Sequence, residues 1–344
     1  MVPSLLVLAL LTVCLLIGST QRAAAEATVA FTITDDRITE SSGLATDTDA
    51  DLYWTVNDSG DSGRAFALDQ SGEVVGTIGF RAEVVDVEAV QYADNTLYIA
   101  DIGDNDAKRP FVTVYLLADP RPNNGTTLYR SVDLAYPDGP HDAETLLVSD
   151  TGQLYLITKG AKGGIYQAPR DLSHSSVNTL TRVGDAPPFV TDGQFLADGR
   201  IAVRSYVDIS VLDPDQGFTV VARAAAPSQP QGESLTGSLD GTRLLAGSEG
   251  KASKVYSLPV PTAIGSAPSP GATPPPGASA SPDESKTSAA ADPGGDSAAD
   301  EETDINDTQG TSRSGTVAAL LVAAAVAVAA GAGVYFARGR RSSR

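Results

Sequence analysis

Five times along this chain an acidic residue stands at the head of an apolar run: Glu40 in ITESSGLA, Glu88 in VDVEAVQY, Glu144 in HDAETLLV, Asp192 in VTDGQFLA and Glu233 in GESLTGS. The intervals are 48, 56, 48 and 41 residues, the length of one four-stranded propeller blade. Between these marks lie short stretches of Val, Ile, Leu, Tyr and Thr, broken by Asp-Gly, Asn-Asp, Ser-Gly and Pro, and almost no segment keeps a helical period. The spacing predicts an all-β, about five-bladed β-propeller over residues 26–261. The first repeat divides into the strands SSGLAT, LYWTVN, RAFALD and VVGTIG, with Trp54 expected between blades. The last repeat is one outer strand short, while a spare strand, Thr28 to Thr34 (TVAFTIT), precedes the first. Pairing the two closes the ring and leaves fewer open sheet edges.

The flanks differ in kind. Residues 1–25 carry an apolar run and then Ala23-Ala24-Ala25, the pattern of a cleaved secretory signal peptide. Residues 262–315 are rich in Pro, Ala, Ser and Asp and predict a disordered stalk. Residues 316–337 are uncharged and rich in Ala and Val, long enough to cross about 30 Å of hydrocarbon as one transmembrane helix. Arg338, Arg340, Arg341 and Arg344 follow, so residues 338–344 are expected to be a cytoplasmic tail by the positive-inside rule. The expectation is a single-pass cell-membrane protein with its propeller outside, facing an extracellular or cell-wall ligand. Its only cysteine, Cys14, lies in the leader, so sheet packing must hold the domain without disulfides. The formal net charge of -19 argues against nucleic acid, whose binding depends on Lys and Arg neutralising phosphates. A cation or a basic partner suits it better.

In a propeller the innermost strand of each blade lines the channel and the next runs back antiparallel. The head of the first and the end of the second therefore share one face. That places Glu40, Glu88, Glu144, Asp192 and Glu233 around the channel mouth. Two echoing loops, Asp58-Ser59-Gly60-Asp61 and Asp101-Ile102-Gly103-Asp104, lie just outside, with Asn57, Asp86, Asn105 and Asp142 as further oxygen donors. Such a crowd of carboxylates repels itself unless protons or a hard cation relieve it, and Ca²⁺ takes six to eight ligands of this kind. Asp, Asn, Ser and Gly also build tight turns, and the ring acids can equally bind a neighbouring blade's amides. Lys159 and Arg204, at matching places in the third and fourth repeats, are candidates for holding an anionic ligand. His141 offers a general base. No Gly-x-Ser-x-Gly elbow and no zinc set occur.

Over residues 38–115 the runs ESSGLA, YWTVNDSGDSGRAFALD, VDVEAV and LYIADIGDN resemble exported actinobacterial propellers of the phytase-like, esterase-like family, which share an outline with calcium-dependent lactonase propellers. The resemblance extends more loosely over residues 28–260. It implies a metal-dependent site at the channel mouth, carried onto Glu40, Asn57, Asp58, Asp86, Glu88, Asp101 and Asp104. Two functions follow as expectations. One is a surface-anchored, calcium-stabilised binding or scaffold propeller, and the other is a calcium-dependent phosphoesterase or esterase.

Overall fold

The computed structural model describes residues 27–58 and 60–263. The expected leader, the stalk beyond residue 263, the span over 316–337 and the basic tail lie outside the described residues. Among the described residues no helix is long and apolar enough to cross a membrane.

Five antiparallel sheets stand around a central axis. Blade 1 runs outward through Ser41–Asp47, Leu52–Asn57, Arg64–Leu68 and Val74–Phe80, and blade 2 through Val87–Ala93, Thr96–Asp101, Val112–Ala118 and Arg130–Ala135. Blade 3 consists of Ala143–Val148, Leu154–Thr158, Gly163–Gln167 and Thr181–Ala186, and blade 4 of Val190–Phe195, Ile201–Ser205, Asp208–Asp213 and Thr219–Ala225. Blade 5 takes Ser234–Gly237, Leu244–Gly247 and Ser253–Leu258 from the end of the domain and Thr28–Ile33 from its beginning. The spare strand pairs from Thr28 opposite Ser257 to Ile33 opposite Ser253, with one irregularity between Val29 and Phe31. The count of five blades and the closure both follow the repeat.

Each sheet is apolar on both faces because each is packed between two neighbours. Five cores result, one per blade interface. Trp54, Val56 and Ala65 of blade 1 meet Val87, Val90 and Ile99 of blade 2, and Ala89 and Val114 of blade 2 meet Leu146 and Tyr166 of blade 3. Ile157 and Ile165 pack on Val203 and Leu212, Ile209 on Leu235 and Ala246, and Phe31, Ile33 and Val255 on Leu44, Tyr53 and Phe66. Trp54 is fully buried and donates its indole N–H to Asp47 Oδ2 at 3.0 Å, which keeps that polar handle satisfied.

Two short strands add to this plan. Gly125–Thr127 pairs parallel with the outer strand of blade 1, and Asn178–Thr179 with the outer strand of blade 2. In each case a connection from the following blade covers a sheet edge that would otherwise present unpaired backbone groups.

The inner strands touch one another in cyclic order around the channel. Its half remote from the strand heads is bridged by side chains. Gln91 of blade 2 reaches across the axis and donates to the carbonyl of Gly193 in blade 4 at 2.8 Å. Gln194 accepts from Gly237 N at 2.7 Å, and Thr46 bonds to both Thr236 and the Gly237 carbonyl. The acidic residues Glu88 and Glu144 lie at the opposite end, at the strand heads.

Candidate metal site at the channel mouth

Glu88 and Glu144 owe their position to a defect in the ladder. In blade 2 the pairing steps from Val87 opposite Asp101 to Ala89 opposite Ala100, and in blade 3 from Ala143 opposite Thr158 to Thr145 opposite Ile157. Each glutamate is the extra residue of a β-bulge, a device that re-aims a side chain out of the pleat. Asp86 and Asp142 stand two residues earlier, on the side that the strand period returns to. Blade 1 has Gly43 at its bulge, with φ +77°, and a Cβ there would lie 2.8 Å from Val90 N. Only glycine fits, so blade 1 supplies its carboxylate from Asp58, at the end of the second strand, whose N–H donates to the Glu40 carbonyl at 2.9 Å.

Two sets of carboxylate oxygens result. Asp58, Asp86 and Glu88 offer ligand atoms all within 4.8 Å of one another, and so do Glu88, Asp142 and Glu144. Glu88 belongs to both. Beneath them lies Gly103, where a Cβ would collide with Asp86 Oδ2 and Glu88 Oε1. The absent side chain leaves a cradle for the two carboxylates. An all-oxygen, all-carboxylate donor set of this kind suits a hard cation such as Ca²⁺ and not a soft one.

The electrostatics agree. Burial, then the adjacent Asp58, push the Asp86 carboxyl up to about 7. Glu88 lies well above the ordinary carboxylate range through burial and the charges of Glu144, Asp58 and Asp86. Burial likewise raises Glu144 and Asp142, opposed in each case by Lys159. On the blade 5 side, burial followed by Glu233, Asp58 and Glu40 pushes Glu249 up to about 8. Lys159 is the cation set among these acids. Its Nζ donates to Glu144 Oε1 and lies 5.5 Å from the Tyr206 ring centre. The Tyr206 hydroxyl donates to Glu233 Oε1 at 3.2 Å, while the buried Glu233 Oε2 has no hydrogen-bond partner among the described residues.

Of the residues expected from sequence, Asp58, Asp86, Glu88 and Glu144 come together, and Glu40 stands exposed beside them, its carboxyl raised by partial burial and by Asp58. The other candidates are occupied elsewhere. Asn57 accepts from Glu40 N and donates to the Arg37 carbonyl and to Asp61 Oδ2. Asp101 is the last residue of its strand, not the first of a loop. It accepts from Val85 N and Asp86 N at 2.9 and 3.0 Å and pairs with Arg109 at 2.8 Å. Asp104 caps its turn through Lys108 N and Arg109 N.

Asp192 falls one residue past the bulge of blade 4, where Thr191 is the extra residue, and accepts from Leu235 N at 2.7 Å to tie blade 4 to blade 5. Arg204 is fully buried and donates to the carbonyls of Ser234 and Gly247 and to Gln229 Oε1. Its guanidinium is a blade-to-blade fastening, not a cation presented at the mouth. His141 sits outside the carboxylate sets and shares Asp138 with the Tyr166 hydroxyl.

Sequence reasoning undervalued Asp142, Tyr206 and Glu249. For Asp142 the signal was the repeated Asp-x-Glu spacing of Asp86/Glu88 and Asp142/Glu144. Glu249 follows the second strand of blade 5 much as Asp58 follows that of blade 1. Nothing in the sequence marks Tyr206.

These shifts carry a sign. Carboxyls raised in the folded state above their unfolded values stabilise the fold below the unfolded pKa, and that contribution is lost as pH rises through the folded values. The cation-free protein is therefore expected to lose stability between about pH 4 and pH 8. Saturating calcium should flatten the slope, and thermal melts across that range with calcium and with chelator check both.

No family model matches the chain, and no curated protein matches it. Among solved structures it is similar to a gluconolactonase of Xanthomonas campestris, at 14% identity and a TM-score of 0.42 over 70% of this chain and 99% of that one. Luciferin-regenerating enzyme matches at 12% identity and 0.43 over 67% and 94%, and a putative gluconolactonase at 14% and 0.41 over 71% and 95%.

Proposed function

We propose that the propeller is a calcium-dependent hydrolase of an ester or phosphoester, acting at the channel mouth. The observation that carries this reading is the pair of oxygen sets built on Asp58, Asp86, Glu88, Asp142 and Glu144. Without a cation, holding these carboxylates together on a rigid scaffold is unfavourable, as the raised pKa values of Asp86, Glu88 and Glu144 express. A face that only docked a partner would not need that arrangement. A bound calcium would polarise the scissile group and make a water more acidic. The chain's own groups do the rest. Gly103 keeps room for Asp86 and Glu88. Glu249, a half-buried carboxyl on the blade 5 side of the mouth, is the group assigned to hand a proton to a leaving oxygen.

The test is turnover of p-nitrophenyl acetate and p-nitrophenyl phosphate by the purified full-length chain, with calcium and after chelation. Calcium-dependent hydrolysis of one of them is the expected result. No turnover of either under any condition would overturn the enzyme reading and leave a binding module.

The same proposal sets the propeller outside a membrane, held by residues 316–337. A reporter fused after Arg344 should then be active only in the cytoplasm, and one inserted at residue 270 only outside. The reverse pattern would sink a surface location.

A further inference from the structure

We infer that the channel mouth is laid out for two cations and that the chain supplies one of them itself as the Lys159 ammonium, so that the site takes a single metal ion. This rests on the cation reading above and concerns how many ions the site holds. Two triads with a common glutamate are the layout of a two-ion site with a bridging carboxylate. In the second triad, however, Glu144 Oε1 already accepts from Lys159 Nζ. That ammonium is mostly buried and has the Tyr206 ring face 5.5 Å away.

A metal ion entering between Glu88, Asp142 and Glu144 would have to displace a buried, charge-assisted bond. On the other side Glu88 accepts from the neutral Ser42 hydroxyl at 3.3 Å, a weaker bond for an ion to displace. The first ion therefore takes the Asp58 side.

A second observation points the same way. Glu233 Oε2 is buried and has no hydrogen-bond partner among the described residues, while its Oε1 is held by the Tyr206 hydroxyl. Its charge is offset across space by Lys159 and Arg204. If the Lys159 charge were removed, Glu88, Asp142, Glu144 and Glu233 would be left short of positive charge around a ready-made oxygen set. Lys159→Met keeps most of the stem and removes only the ammonium. Lys159→Arg keeps the charge.

The experiment is calorimetric titration of the chelator-stripped full-length chain with Ca²⁺, with Tb³⁺ luminescence as a parallel count. The expected stoichiometry is one ion for the parent, two for Lys159→Met and one for Lys159→Arg. In the parent background, Glu144→Gln should cost the single ion less affinity than Glu88→Gln, which should weaken it about tenfold to a hundredfold. One ion in Lys159→Met, two in the parent or in Lys159→Arg, or a Glu144→Gln loss as large as that of Glu88→Gln each overturns the inference while leaving a cation site standing. A parent that binds no ion sinks both this inference and the cation reading. If circular dichroism shows Lys159→Met unfolded, the Glu144→Gln and Glu88→Gln pair still decides, because it asks which triad holds the ion.

Discussion

Removal of Thr28–Ile33 is expected to unfold the propeller as a whole and not to fray one edge. The strand completes blade 5 through its pairing with Ser253–Leu258, yet its side chains belong to two blades at once. Phe31 and Ile33 are buried with Val255 and Leu245 of blade 5 and with Leu44, Tyr53, Phe66 and Leu68 of blade 1. The Phe31 and Tyr53 rings lie 5.5 Å apart, and the blade 1 turn at Gly72 packs so closely on Phe31 and Thr32 that a Cβ would collide. Losing the burial of Phe31 and Ile33 costs about 3–6 kcal/mol together. That is comparable with the whole stability of an ordinary domain, about 5–15 kcal/mol. With no cysteine after Cys14, no covalent link can hold the ring shut in its place. The expected result is loss of the cooperative melt in circular dichroism and rapid proteolysis throughout the domain. A truncated chain that melts like its parent would refute the closure argument.

Glu88→Gln is expected to cut the calcium-dependent gain in stability by about half or more and to raise the calcium needed for hydrolysis about tenfold to a hundredfold. An ion that binds only the folded chain adds RT ln(1 + [L]/Kd), about 2.7 kcal/mol at a hundredfold excess over Kd. Glu88 is the one ligand common to both oxygen sets, so its loss weakens either arrangement. The calcium-free variant should be at least as stable as the calcium-free parent at pH 8, because a buried carboxyl that resists ionising has been replaced by a neutral isostere. Asp101→Asn makes the opposite case. It loosens the hold on Val85 N, Asp86 N and Arg109, so it should lower stability with and without calcium alike. Melts of both variants in calcium and in chelator separate the two. If Glu88→Gln responds to calcium as the parent does, the ion does not sit at this mouth.

The architecture was legible because it is written as a period. Recurrent acids, alternating apolar strands and one displaced strand together fix blade length, blade count and closure, and each survives an error of a residue or two. The site was not legible to the same degree because its geometry turns on single residues. A bulge is one extra residue, and it sends Glu88 and Glu144 to the mouth while Asp192, one step further along its own strand, becomes a tie between blades.

The two Asp-x-Gly-Asp tetrads look alike as strings, but Asp58 follows its strand and Asp101 ends one. The first joins the carboxylate set, and the second is spent on backbone amides. Arg204 follows from the same arithmetic. It lies within the second strand of blade 4, where the blade interface buries it, while Lys159 comes just after its own strand and stays near the mouth. Composition cannot distinguish an aspartate that binds a cation from one that caps a turn, since both need the same oxygen.

The bridge from Gln91 to Gly193, with Gln194, Thr46 and Thr236 beside it, has a kinetic consequence. A channel bridged at one end favours entry and exit by the other, at the strand heads. On the proposed hydrolysis, the last fragment to leave and the next substrate bind the same empty site, so that fragment is expected to inhibit competitively. Opening the bar with Gln91→Ala would change how fast the fragment leaves, not how tightly it competes.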